Sequence, residues 1–176
     1  VHLGDIPLEV VSNPDRFRSL DLAGKSWGGN ETLQKFKNLT ELKLFGNSDN
    51  ETKTVSFEGL HALEHVGLSR LTELESAEAL AGLPRLDTLI LSRLDKLSSI
   101  GKSGPDSRIR YLGLTKLPAL QSLDPFSGVT GCESLLLSDC DAIPSVEEFR
   151  ERNPLKHITI TDCSLLPEVR ENSQRR

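Results

Sequence analysis

The stretch Leu86–Leu97, LDTLILSRLDKL, decides the fold. Its apolar residues fall at Leu86, Leu89, Leu91 and Leu94, in the spacing L-x-x-L-x-L-x-x-L. The central L-x-L alternates as a strand with one buried face does. The same frame recurs on both sides. Upstream copies start at Leu63, Leu39 and Phe17, and downstream copies at Ile109, Cys132 and Leu155. The steps between starts are 22, 24, 23, 23, 23 and 23 residues. One such unit cannot bury its own leucines, so successive units must stack into a solenoid.

Each copy predicts one short strand, near residues 18–22, 41–44, 65–68, 88–91, 111–114, 134–137 and 157–160. The strands stack in parallel, and the chain returns on the opposite side to begin the next. Leu89, Leu112 and Leu135 are expected in one buried row. The segments divide as an N-terminal cap or partial repeat over 1–16, seven repeats over 17–163, and a tail over 164–176. The polar end Glu171–Arg176 offers no apolar face and is expected to fray or to contact a neighbour.

The return segments differ in kind. Ser145 with Glu148 reads as a capping box before a helix over Val146–Arg152. Ser76 before Ala77–Ala81, with Gly82 and Pro84 behind, reads as a second short helix. Asn30 is placed to cap Glu31–Phe36. Lys102–Arg108, KSGPDSR, has no apolar period and reads as a loop.

This pattern resembles the leucine-rich repeat superfamily, whose unit runs 20–29 residues with L-x-x-L-x-L-x-x-N/C. The resemblance covers residues 17–163. Cysteine at the ninth position, with strings such as CDAIPSV and CSLLPEV, is similar to the irregular repeats of plant intracellular immune receptors. The 23-residue period is also similar to trypanosomatid repeat proteins. The resemblance implies an α/β solenoid in horseshoe form. About seven parallel strands would line the concave face, and loops and short helices the convex one. It further implies a module that binds a protein or peptide partner, as part of a larger receptor or regulatory protein. The alternative is a substrate-recognition arm of an enzyme assembly such as a ubiquitin ligase. The ninth position departs from the pattern. Asn47 supplies the usual amide, whereas Leu71, Leu94 and Leu117 offer no polar group. Those turns must satisfy their backbone by another route. Cys140 and Cys163 occupy equivalent inward positions, as two buried thiols or a disulfide.

Catalysis finds no constellation. His65 and His157 share one column four strands apart, about 19 Å by strand spacing. That is too far to share a metal or a proton. No Gly-rich phosphate loop or nucleophile elbow occurs. The segment therefore reads as a non-enzyme without metal or cofactor. A net charge of −5 argues against a general nucleic-acid binder. No apolar run approaches the roughly 20 residues of a membrane span. The chain starts at Val1 rather than Met, which suits a processed or excised piece.

The working surface is the outward face of the strands. Its large and ring-bearing residues are Phe45, His65, Ile90, Tyr111, Leu136 and His157. Charge is nearly absent from this face after the second repeat, although 27% of the chain is charged. Interface cores show such depletion with apolar anchors. A sheet face holding β-formers for propensity alone is the competing reading. Ile90, Gly113 and Leu136 occupy the middle column of three successive repeats, with Tyr111 beside Gly113. They read as an open notch about 9.6 Å wide, unless Tyr111 lies across Gly113 and fills it. Arg70, Arg93 and Lys116 fall at one rim offset, followed by Asp139 and Asp162. They form either a basic strip for an acidic partner segment or a solvated rim. The opposite rim carries Glu64, Asp87, Arg110 and Glu133. Sequons at Asn30, Asn38 and Asn50 favour a secreted or surface protein. The lack of cysteine-rich caps tips the balance towards the cytoplasm.

Overall fold

The computed structural model describes residues 11–23, 30–46, 51–167 and 169–172. Seven strands run in parallel through one sheet: β1 (Ser19–Ala23), β2 (Glu41–Phe45), β4 (His65–Ser69), β6 (Thr88–Ser92), β7 (Tyr111–Thr115), β8 (Ser134–Ser138) and β9 (His157–Thr161). The result is a parallel-strand solenoid of about six coils with steps of about 23 residues. It is mostly strands. Among the described residues its helices are α1 (Asn30–Leu33) and α2 (Glu147–Arg152), with 3-10 turns at Pro14–Arg16 and Asp124–Phe126.

The register follows the leucine frame without slippage. Val66, Leu89, Leu112, Leu135 and Ile158 pair in one row across the sheet, and Leu68, Leu91, Leu114, Leu137 and Ile160 in another. Both rows are buried. A slip of one residue would turn every one of these side chains to solvent, so burial holds the register. The opposite wall of the core is aromatic as well as aliphatic. Phe36, Phe57, Phe126 and Phe149 are buried on the return segments. Phe36 also meets the half-buried Phe17 edge-on at 5.8 Å.

The polar side of the coil is closed by backbone. At the strand starts one carbonyl serves two amides of the next coil: Asp87 O accepts from the N–H groups of Arg110 and Tyr111, and Arg110 O from those of Glu133 and Ser134. At the strand ends the amides of Arg70, Arg93, Lys116 and Asp139 donate to Ser92, Thr115, Ser138 and Thr161 O. This inter-coil ladder is how the coils with leucine at the ninth position satisfy their turns. Asn47 lies outside the described residues. Where cysteine occupies that position, sulfur joins in. Cys140 N–H donates to Cys163 Sγ at 3.4 Å, and Cys140 Sγ lies 3.5 Å from Leu114 O. All three cysteines are buried free thiols. Burial pushes the thiols of Cys132 and Cys140 up to about 11.

Several local readings are corrected. Ser76 does not start a helix: β3 (Thr54–Ser56) and β5 (Ser76–Glu78) form a second, parallel two-stranded sheet, extended by a bridge from Ser76 to Ser99. Ser76 N–H donates to Lys53 O and Ala77 N–H to Ser99 O. A five-residue helix would gain few internal bonds against its nucleation cost, whereas neighbouring coils offer ready carbonyls. Ser145 and Glu148 form no capping box. Ser145 Oγ accepts from Glu147 N–H at 3.2 Å, and Glu148 faces Arg152 at 3.5 Å. Asn30 does not serve as a cap either: its Oδ1 accepts from Ser56 N–H on the next coil, and α1 stops at Leu33. The loop over 102–108 carries no regular element, as its composition implies.

The chain end is also different. β10 (Val169–Asn172) runs antiparallel to β9, pairing Glu171 with Ile158 and Asn172 with His157. The expected fraying therefore does not apply to Glu171 and Asn172. The last parallel strand presents a row of unpaired N–H and C=O groups, and backbone pairing needs no apolar face. Residues 1–10 of the expected cap and 173–176 of the tail lie outside the described residues.

Candidate interaction surface

Alternation along the strands delivers the outward columns as a continuous face. His65, Thr88, Tyr111, Ser134 and His157 are cross-strand neighbours in one column, and Gly67, Ile90, Gly113, Leu136 and Thr159 in the next. Ile90 is 45% exposed, Phe45 37% and Tyr111 36%, each on a different strand. Leu136 is half-buried. Strand charge gathers at the β1–β2 end, where Glu41 accepts from Ser19 Oγ at 3.0 Å and pairs with Lys43 at 2.8 Å. Lys43 and Ser19 hold the Glu41 carboxyl below its ordinary range.

The notch at Gly113 is not open. Gly113 is buried, and a Cβ placed there would lie 3.3 Å from Tyr111 Cε1 and 3.8 Å from Ile90 Cγ1. The tyrosine ring lies over the glycine and joins Ile90 in one apolar ridge. His65 and His157 remain four strands apart in register and do not meet. Among the described residues no three His, Cys, Asp or Glu side chains could hold a metal ion.

The rims are unlike. Arg70 stands over the Phe45 ring at 4.9 Å from its centroid, so it belongs to the face as much as to the rim. Arg93 and Lys116 are exposed and form no ion pair among the described residues. Arg70, Arg93, Lys116, Asp139 and Asp162 share left-handed backbone, with φ between 51° and 55°. Their common offset is thus a turn requirement, and their side chains radiate from equivalent corners. The opposite rim is a charge ladder. Arg110 Nε bonds Asp87 Oδ1, and Lys156 Nζ pairs with Glu133 at 2.7 Å. Lys156 holds the Glu133 carboxyl below its usual value.

Beyond this second rim lies a surface that the motif reading did not single out. An open recess is lined by Lys37, His61, Ala62, Pro84, Arg85 and Arg108, with Gly59 at its edge. A second recess shares Arg85 and Arg108 and continues to Glu64, His65, Asp87 and Arg110. The available signal is a basic residue one or two positions before a repeat start, as at Lys37, His61, Arg85 and Arg108.

The two sequons within the described residues have engaged asparagines. Asn30 Oδ1 accepts from Ser56, and Asn38 Nδ2 donates to Asp15 O at 2.9 Å. Asn50 lies outside the described residues. No helix among them is long and apolar enough to cross a membrane. No protein-family model matches the chain, and no curated protein matches it.

Proposed function

We propose that this solenoid is a leucine-rich repeat recognition module that binds a protein or peptide partner on the outward face of its sheet, within a larger receptor or regulatory protein. The assignment to that superfamily rests on the 23-residue frame. It is supported by the burial of both inward frame residues in each parallel strand of the main sheet and by the left-handed residue that follows β4, β6, β7, β8 and β9. One observation carries the binding reading. Phe45, Ile90 and Tyr111 stand exposed on a face whose strand charge is confined to its β1–β2 end and which from β4 onward carries mainly small hydroxyl residues with Leu136 and two histidines. Rigid aromatic and branched anchors of this kind concentrate binding energy at interface centres. Arg70 over Phe45 adds a cation to the anchor rather than to a separate rim strip.

Site-specific photo-crosslinking tests the reading. A benzophenone side chain at Ile90 should capture a discrete partner in cells, while the same group at Glu148 on the return side should not. The purified partner should then lose about tenfold or more in affinity with Ile90→Asp. Equal capture from both faces, or undiminished binding by a folded Ile90→Asp variant, would place the interface elsewhere.

A further inference from the structure

We infer that the edge recess formed by Lys37, His61, Arg85 and Arg108 is a docking groove for an acidic peptide segment of a partner protein. It lies beyond the Asp87–Arg110 rim, and the inference does not rest on the sheet-face reading. The first ground is charge. The chain carries net −5, and seven of its other lysines and arginines are occupied. Lys43, Lys53, Lys96, Arg110, Arg150, Arg152 and Lys156 all sit in ion pairs. Lys37, Arg85 and Arg108 are exposed and have no ion-pair partner among the described residues, yet they line one recess. Three like charges brought to one recess repel, and although Glu64 and Asp87 line the adjoining recess, an anion from outside would offset the remaining cost.

The second ground is shape. The four basic residues come from four successive coils. With coils about 4.8 Å apart at the sheet, they spread over roughly 14 Å, the reach of about four residues of extended chain. A single phosphate would need cations converging on one point, and these are strung out. Ala62 and Pro84 line the recess among the cations, with Gly59 beside them: a Cβ at Gly59 would meet nothing within 4 Å. Apolar lining interspersed with cations suits acidic side chains alternating with apolar ones. The adjoining recess discriminates against a polyanion. Glu64 lines it without an ion pair among the described residues, and Arg110 there is already held by Asp87. A long polyanion following the edge meets Glu64 and Asp87 as well, whereas a short segment held in the first recess touches neither lining residue.

The test is fluorescence anisotropy with a fluorescein-labelled peptide of alternating glutamate and leucine. Saturable binding that weakens as salt rises is expected. The K37Q/R85Q/R108Q variant should bind at least about tenfold more weakly, while K96Q/K102Q/R152Q, which removes the same charge elsewhere, should stay within about twofold. The thermal midpoint of each variant is recorded alongside. If the triple variant does not fold, R85Q/R108Q is held to the same ordering. Absence of saturable binding, an equal loss in the control variant, or tighter binding of inorganic phosphate or of a single-stranded oligonucleotide would each overturn the assignment.

Discussion

Tyr111 lies over Gly113 two residues along its own strand, with Cε1 3.3 Å from where a Cβ would stand. The contact is tight but yielding, because the ring is exposed at its far side and can swing outward. Glycine in a strand gives up more backbone entropy than alanine. Gly113→Ala is therefore expected to raise stability by about 0.5–1 kcal/mol, read as an increased thermal midpoint. A loss of that size instead would mean the ring is locked. Tyr111→Ala should move the midpoint down, because it uncovers the glycine strand.

Left-handed backbone at Arg93, with φ 55°, makes a second prediction. Here an L side chain crowds its own backbone, and the Arg93 guanidinium has no ion-pair partner among the described residues to compensate. Arg93→Gly should stabilise by about 1 kcal/mol, and Arg93→Val should destabilise by at least as much. Urea denaturation of the two variants checks the sign. Stabilisation by valine would show that the corner is not left-handed.

Asn153 ties two coils together from a buried position. Its Oδ1 accepts from Cys132 N–H at 2.9 Å, and its Nδ2 donates to Phe149 O at 2.8 Å. Asn153→Ala leaves a buried amide without its partner, at a cost of about 1–3 kcal/mol. Hydrogen exchange at the Cys132 amide should accelerate in that variant more than at Leu112. Uniform acceleration would signal general loosening instead.

Buried thiols give the protein a sensitivity to high pH. Cys132 and Cys140 are raised from 9.0 to about 11, so the folded state keeps protons that the unfolded state releases. Their contribution is fully present below pH 9.0 and is lost as pH rises towards about 11. Unfolding free energy should fall more steeply between about pH 8 and about pH 10.5 in the natural protein than in a Cys132→Ala/Cys140→Ala variant. Parallel slopes would show that other groups set the alkaline limit.

The sequence by itself determined the period, the seven strand positions and the two inward rows typified by Leu112 and Leu114. Burial of a repeated L-x-L is a local demand that every coil makes in the same way, so spacing alone encodes it. It also placed Ile90 and Tyr111 on the outward face, because side chains alternate along a strand. Tertiary structure decided whatever depended on the neighbouring coil, some 23 residues away. Ser76 carries a helix-start signal, yet Lys53 O and Ser99 O were within reach and the strand formed. Asn30 holds a cap-type side chain that instead accepts from Ser56 on the next coil. The ring over Gly113 and the guanidinium over Phe45 were set by rotamers that spacing does not specify. The recess at Lys37, Arg85 and Arg108 exists only because stacking brings three separate approaches to one edge. Backbone donors and acceptors carry no sequence signature, and where the next coil presents them is known only once the coils are stacked.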